Sequence, residues 1–545
     1  MGLILKNFAY STLQHVVPLI FSILLFCGGA MLLVSAALPI VPENLKWISQ
    51  VEPLTFIELS HIVSVLSGLF LLFLARGVRL RLDAAYYACI AVLAIAILAL
   101  TFKGLEWKQA MMLGAMLLLF IPTRKYFNRK ASLFTMQFPP EWIALIALVL
   151  ALATWLGFEA YKHVEYAHDL WWRFSYREDA PRFLRMVLVT GAFIFAYGLY
   201  NIFKVARPEQ SPVLSADDRA RLHAIATASN DCTSFLSLMG DKAVLWSDSG
   251  KAFIMYAMTP RYWVAMGDPV GDAAEFPALL WKFRENADLH NALAVYYQVS
   301  DRHLPLYLDR GLILLKIGEE ARIFLPTFHT DGGKRENQRK LRNRMHRDGY
   351  SLHIIEGAEL DAAMPALRVI SDSWLATKKV KEKGFSLGFF DESYIRSTRV
   401  AVVKKDGRIY AFANIWDLQN REQISLDLMR YDPEDSPPGM MEYLFLDTIF
   451  WAKDQGYQWF GLGMSPLSGL EEHALAPLWH KIGRTIYKHG EDLYNFEGLR
   501  AYKSKFDPVW RPRYIAVPPT PRIPMVLLTV ARIISGGFRG MFQKR

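Results

Sequence analysis

The first 207 residues contain long stretches without an ionised side chain, and these constrain the fold more than any other feature. Val16–Val41 has no charge, and neither do Ala84–Phe102, Trp142–Phe158 and Met186–Phe203. Leu59–Ala75 holds only His61, and the shorter Gln109–Thr123 is also uncharged. A helix crossing the hydrocarbon of a bilayer needs about 20 mainly apolar residues, because only its own backbone can satisfy its amides there. The pattern predicts six spans, with Gln109–Thr123 the shortest. Val16–Val41 is too long for a cleaved signal peptide and further spans follow it. Its Pro18 and Gly28-Gly29 are tolerated in a membrane helix.

Short loops give the expected orientation. Arg76, Arg79 and Arg81 follow the second span, and Arg124, Lys125, Arg129 and Lys130 follow the fourth. Lys204 and Arg207 follow the sixth, whereas the first and third connections carry few cations. The positive-inside rule then places the amino terminus and everything after residue 207 in the cytoplasm. The connection 159–185 has five basic and five acidic residues and weighs little. Its His163 and His168 lack a third ligand, so they read as surface residues. No Asp, Glu or Arg lies within a span, which argues against an ion-coupled transporter.

Charge is distributed by region. Residues 1–207 have 18 basic and 11 acidic side chains, residues 208–507 have 37 and 41, and residues 508–545 have seven and none. The net +10 therefore belongs to the membrane half and the tail. A global argument from basicity to nucleic acid fails, and only local clusters can support one. Three cysteines in 545 residues exclude a disulfide scaffold, and no metal site is spelled out.

Beyond a Pro-containing linker at 208–216, strands alternate with helices. Ala252–Met258, Tyr262–Met266, Ala294–Val299 and Leu312–Ile317 read as strands. Val400–Lys404 and Arg408–Trp416 flank Asp406-Gly407, a type I′ hairpin signal, and Ile424–Tyr431 is a third strand of that sheet. Met440–Gln455 reads as a helix stopped by Gly456. The expected class is a multi-pass helical membrane domain followed by an α+β soluble part. The expected domains are 1–207 in the membrane, 208–355 and 356–517 as two similar-sized soluble domains, and 518–545 as a basic interfacial tail. A meander followed by a helix is the acetyltransferase pattern. The pyrophosphate loop of acetyl-CoA enzymes is missing, Lys481-Ile482-Gly483-Arg484 being a poor substitute, so an acetyl-CoA reaction is disfavoured.

Four clusters can carry chemistry. Residues Lys334–Arg347 hold seven basic residues and one acidic. On a helix Arg335, Arg339 and Arg342 share a face, which suits a phosphate-rich partner or alternatively a solvated face. Asp427 and Arg430 interrupt an apolar strand; three residues apart, they point to opposite faces unless a bulge intervenes. Glu497, Arg500, Lys503 and Lys505 lie on one short segment. Phe460–Leu467 is a strand running into a turn of small residues, where backbone N–H groups can meet an oxyanion. In the tail, Ile523–Ile534 is too short to span and, with arginines around it, reads as an interfacial anchor for anionic lipid.

The stretches Gly267-Asp268-Pro269-Val270-Gly271, Glu336-Asn337 to Arg347, Asp427-Leu428-Met429-Arg430-Tyr431, Gly439-Met440-Met441-Glu442-Tyr443-Leu444-Phe445, Gly463-Met464-Ser465-Pro466-Leu467 and Asn495 to Phe506 resemble the multiple peptide resistance factor family, bacterial aminoacyl-phosphatidylglycerol synthases. The resemblance covers the soluble half. It implies two tandem acetyltransferase-like folds akin to the cell-wall Fem-type peptidyltransferases. It also implies transfer of lysine, alanine or arginine from aminoacyl-tRNA to a phosphatidylglycerol hydroxyl, without cofactor or metal. The product would lower membrane negative charge and give resistance to cationic antimicrobial peptides. By resemblance, Asp427, Arg430, Glu497 and Lys503 are the activity-critical positions. Lys505, Arg500, Arg335, Arg339, Arg342 and Arg344 are expected to bind substrate. The expected location is the bacterial cytoplasmic membrane, with anionic lipid and a homo-oligomer as further partners. With about six spans the chain looks like a short member lacking part or all of the family's flippase. A transferase acting on a cell-wall lipid precursor, a flippase with a regulatory domain and a tRNA-binding tether remain alternatives. No residue decides the amino acid, the oligomeric state or flipping.

Overall fold

A computed structural model describes residues 2–38, 54–102, 107–129, 140–160, 215–378, 384–471, 496–520 and 522–535, with single positions at 187, 190, 191, 382, 473, 475, 476, 479 and 480. The expected sixth span, the His163/His168 pair, the linker to residue 214, the segment Lys481–Arg484 and residues 536–545 lie outside these, apart from three positions of that span. The chain divides into two compact units, one built on residues 1–207 and the other on residues 208–545, with four residues near 290 grouped with the first.

The first unit contains α1 (Gly2–Ala37), α2 (Leu54–Arg79), α3 (Asp83–Phe102), α4 (Trp107–Phe120) and α5 (Pro140–Ala160). Within the described residues, Val16–Ala37, Leu59–Arg79, Asp83–Thr101 and Glu141–Ala160 are long and apolar enough to cross a membrane. The expectation of a span at Gln109–Thr123 is corrected: α4 has only 14 residues, and a 3₁₀ segment with Pro122 follows it. Helices α1 and α2 meet through Gly29 and Gly68. A Cβ at Gly29 would stand 2.7 Å from the Gly68 carbonyl oxygen, and one at Gly68 would stand 2.9 Å from that of Gly29. Small residues let membrane helices pack this closely.

Among the described residues, the second unit is built on one twelve-stranded sheet. Along the chain come β1 (Ala243–Trp246), β2 (Ala252–Met258), β3 (Tyr262–Met266), β4 (Val270–Gly271), α6 (Phe276–Leu289), β5 (Leu293–Ser300) and β6 (Ile313–Phe324). Then follow α7 (Glu336–Arg347), β7 (Ser351–Ile355), α8 (Gly357–Lys378), α9 (Glu392–Arg396), β8 (Arg399–Lys405), β9 (Arg408–Asp417) and β10 (Gln423–Tyr431). The last are α10 (Met440–Asp454), β11 (Trp459–Pro466), α11 (Phe496–Ser504), β12 (Val509–Val517) and α12 (Ile523–Ile534). Asp406 and Gly407 have φ of 50° and 79°, the left-handed pair that a type I′ turn requires, and Lys405 pairs with Arg408.

A repeated motif organises the sheet. Antiparallel β2–β3 continue through α6 to β5, which pairs parallel with β3. Antiparallel β8–β9–β10 continue through α10 to β11, which pairs parallel with β10. This is the tandem acetyltransferase-like arrangement. The closing strands are exchanged: β6 lies beside β11 and β12 beside β5, and β6 and β12 pair with each other at the centre. The sheet order is β1-β2-β3-β5-β12-β6-β11-β10-β9-β8-β7, with the short β4 paired to β2 off this path. β6 is twice as long as the expected Leu312–Ile317 because it serves both β12 and β11. Apolar side chains from α10 cover one face of the second half, and those of α8 and α9 cover the other.

Candidate active site at the parted strands

The parallel pair β10–β11 is joined only from Gln423/Trp459 to Ser425/Gly461. Beyond this point β10 stays paired with β9 as far as Tyr431, and β11 with β6 as far as Pro466. The two strands therefore part, leaving Leu426–Tyr431 and Leu462–Pro466 as facing edges without a ladder. Each has an irregularity here. β10 carries one extra residue between Leu426 and Met429, and β11 shifts register between Gly461 and Gly463, where Gly463 has φ of 76°. The turn expected within Phe460–Leu467 comes only at Leu467, φ 57°.

The β10 bulge brings Asp427 and Arg430 to the side of the sheet covered by α8 and α9. Regular alternation would have separated them; one inserted residue reverses that. The Asp427 carboxylate is buried and accepts two hydrogen bonds, from the Tyr394 hydroxyl at 2.7 Å and the Gly388 amide at 2.9 Å. Tyr394 in turn accepts one from the Trp416 indole at 2.6 Å. Burial raises the Asp427 pKa above the ordinary carboxylate value, against the lowering effects of Tyr394, Gly388, Lys242 and Arg430. Gly388 is required by closeness, since a Cβ there would stand 1.7 Å from an Asp427 carboxylate oxygen.

Arg430 stacks on the Trp374 ring at 4.1 Å, donates to the Glu382 carboxylate at 3.1 Å, and is largely buried. Burial lowers its pKa despite Glu382. Glu382 also accepts from the Phe390 amide at 3.2 Å. Phe385, further along the same segment, donates its amide to Asp241 at 2.9 Å. Asp241 pairs with the wholly buried Lys242, whose amine also donates to the Leu236 carbonyl at 3.0 Å. The strap formed by Glu382 and residues 384–390 is thus tied at three points, by Glu382 to Arg430, Phe385 to Asp241 and Gly388 to Asp427, and closed on itself by the Phe390–Glu382 bond.

Lys503 stands at the β11 edge. It reaches from α11 and donates to the Met464 carbonyl at 2.8 Å. Its amine is buried, and burial brings its pKa down to about 8, against the raising effect of Glu320. Glu320 cannot serve as a dedicated counter-ion, because two arginines share it. Arg513 donates to it at 2.6 and 3.1 Å and Arg322 at 2.8 Å, while Arg513 also reaches Asp231 at 2.8 Å. Burial opposes the ionised forms of Asp231 and Glu320, but the two arginines hold both pKa values below normal. The Ser465 hydroxyl, on the same edge, is buried without a hydrogen-bond partner among the described residues.

The other expected residues are placed differently. Glu497 lies in the first turn of α11, and its side chain falls outside the described residues, as does that of Lys334. Arg500 stacks on Trp510 at 4.4 Å and pairs with Glu319 at 2.6 Å, whereas Lys505 is exposed. On α7 the arginines mostly contact protein. Arg335 lies over Phe328 and bonds to Phe506 and Asp507, Arg339 bonds to the Thr330 and Gly332 carbonyls, and Arg342 pairs with Asp447 over Phe450. Arg344 donates to the Pro438 carbonyl but stays exposed. The shared face that sequence reasoning found is real, and it fastens α7 to α10 and neighbouring loops. Tyr394, Gly388, Glu382 and Lys242 were not found from sequence. They reach the site through tertiary folding from loops and from the other half, and no spacing announces them.

The phosphatidylglycerol lysyltransferase C-terminal family matches residues 223–517. A phosphatidylglycerol lysyltransferase of Bacillus subtilis is 31% identical over 522 residues, covering 94% of this chain and 59% of that protein. One from Staphylococcus xylosus is 34% identical over 302 residues, 55% of this chain and 36% of that protein. The chain thus spans well under two thirds of the length of these relatives. Among solved structures, a C-terminal domain from Agrobacterium fabrum matches 60% of this chain and 99% of its own at 41% identity and TM-score 0.54. L-PGS from Bacillus licheniformis matches 61% of this chain and 99% of its own at 36% identity and TM-score 0.52. With its helical first unit and its doubled sheet, this chain belongs to the phosphatidylglycerol lysyltransferase family.

Proposed function

We propose that this protein is a membrane-bound aminoacyltransferase that moves an amino acid, lysine by the names of its relatives, from aminoacyl-tRNA to the glycerol hydroxyl of phosphatidylglycerol. The observation that carries this reading is the parted β10–β11 edge. A buried carboxylate stands on one side of it, and a buried amine with pKa about 8 on the other. The lipid hydroxyl attacks the ester carbonyl of the donor and forms the new C–O bond. The neutral Lys503 amine takes the hydroxyl proton and returns it to the departing ribose oxygen, an acid–base role that suits a pKa close to working pH. One ester replaces another, so the exchange consumes no nucleotide. Asp427, held by Tyr394 and Gly388, receives the ammonium of the donor amino acid. Arg430 receives a phosphate once Glu382 yields it. Glu497, in the first turn of α11 and so at the other end of the helix from Lys503, is assigned to hold the donor or help accept the proton, and Arg500 orders that helix. Arg335, Arg339 and Arg342 fix α7, while Arg344 and Lys505 remain exposed toward the polyanionic donor.

The second unit acts on the cytoplasmic side of the bacterial inner membrane, where charged tRNA is found, and the cation-rich short loops support that side. A lipid carrying added positive charge weakens attraction of cationic peptides to the surface. The test is transfer of label from lysyl-, alanyl- or arginyl-tRNA into phosphatidylglycerol by purified protein in lipid. Label that enters lipid and is lost after RNase treatment supports the reading. Label appearing only in a cell-wall precursor lipid moves the acceptor, and no transfer from any donor overturns the proposal.

A further inference from the structure

Helix α12 has two apolar faces rather than one. Val526 and Val530 are 1% and 3% exposed, and with Ile523, Leu527 and Ile534 they pack into the core beside β3. The opposite stripe, Arg522, Met525, Leu528 and Arg532, recurs every three or four residues and so lies on one side of the helix. Met525 and Leu528 are 45% and 39% exposed. The expected interfacial anchor is therefore not a free tail. It is a rigid helix mounted on the second unit.

Two further observations give this outer stripe a chemistry. Arg261, in the turn before β3, is exposed and feels the charge of Arg522 at the start of α12. Partial desolvation and that like charge lower its pKa, against the raising effect of Tyr262, and among the described residues no carboxylate pairs with either arginine. Two arginines that feel each other's charge and lack a paired carboxylate favour an anion in reach of both. In addition, the far end of the helix touches the strap: the Gly384 amide donates to the Ile534 carbonyl at 3.2 Å, four residues before the Gly388 amide that bonds to Asp427. Exposed Leu387 lies between these two tethers.

We propose that the outer stripe of α12, with Arg261, is the surface by which the second unit docks on an anionic lipid bilayer, the Arg261–Arg522 pair taking a lipid phosphate and Met525 and Leu528 entering the acyl boundary. The occupant follows from charge and shape. Arg522 and Arg532 flank the exposed Met525 and Leu528, and a narrow apolar strip between arginines suits the headgroup–acyl boundary better than it suits a protein groove. Docking here sets the strap, and with it the site mouth, beside the membrane surface. This deepens the transferase reading, because the acceptor is a lipid, yet its test does not read transfer.

The test uses full-length protein in nanodiscs of phosphatidylglycerol or of phosphatidylcholine. A photocrosslinking benzoylphenylalanine replaces Leu528 in one sample and Val369, exposed on α8, in another. The expected result is lipid crosslinking at 528 and not at 369. It should be stronger with phosphatidylglycerol, and most of that preference should be lost in R261Q/R522Q, each arginine being worth roughly fivefold. Hydrogen exchange of 523–534 should slow in the same order across unlabelled samples, which keeps the question open to refutation if a labelled chain misfolds. Equal crosslinking at 528 and 369, crosslinking of 528 to a second protein chain, or exchange indifferent to headgroup overturns the docking surface. Transfer activity measured on the same samples is a separate readout, so loss of one reading does not carry the other with it.

Discussion

Lys503 shows how burial turns an ordinary cation into a chemical group. Its pKa near 8 means that the amine is part neutral at physiological pH, and the wholly buried environment costs the fold when it is charged. Because the folded pKa lies below the unfolded value, the unfolded chain binds more protons between them, and stability rises as pH climbs from about 8 toward the ordinary lysine range. Transfer should follow the neutral fraction, rising with an apparent pKa near 8 in a pH–rate profile of kcat/KM. Lys503→Met should lower transfer roughly 100-fold or more while leaving the thermal midpoint unchanged or higher. A midpoint that falls along with activity would mean that the lysine is structural. At Gly388 the same logic runs through space rather than charge. Gly388→Ala puts a methyl where the Asp427 carboxylate lies and should reduce turnover as much as Asp427→Asn, with circular dichroism unaltered.

At the scale of elements, the hairpin of β8 and β9 and the bulge of β10 contrast instructively. Asp406-Gly407 demands left-handed backbone at both positions, so Gly407→Ala should cost about 1–2 kcal/mol in chemical denaturation without touching the site. That turn was legible because Gly chemistry is local, as were β2, β3 and the ends of α10 and α12. The bulge was not legible, since nothing in Leu426–Arg430 distinguishes a regular strand from one with an extra residue. It follows from two partners, β9 and the diverging β11, making different demands on β10. The arginines of α7 mark the other limit. Their helical spacing was readable, but whether the shared face meets water or protein depends on Phe328 nearby and on Asp447, Phe450 and Asp507, which lie far along the chain. The short α4 reflects Pro122 and the cations after it, which end the apolar run before it is long enough to span.

The whole second unit depends on strands exchanged between its halves. Arg513 on β12 joins Glu320 and Arg322 on β6 to Asp231 from the first half, a buried cluster with two charges of each sign. Breaking a buried pair by removing one partner costs about 3–5 kcal/mol. Arg513→Met should therefore lower the thermal midpoint of the entire second unit in one transition rather than melt one half alone. Two separate transitions would show the halves to be independent. The pairing of Arg513 with Ser300 has a consequence for synthesis as well. While a ribosome is still making the chain, β5 and β6 are finished but have no neighbour between them, and each offers an open ladder in the middle of the future sheet. That gap closes only when Val509–Val517 emerges, more than 200 residues after β5. The nascent protein must hold two unpaired inner edges apart for most of the translation of its second unit, so its yield in cells should respond to chaperones and to translation speed near the 3′ end of the message more than its final stability would suggest.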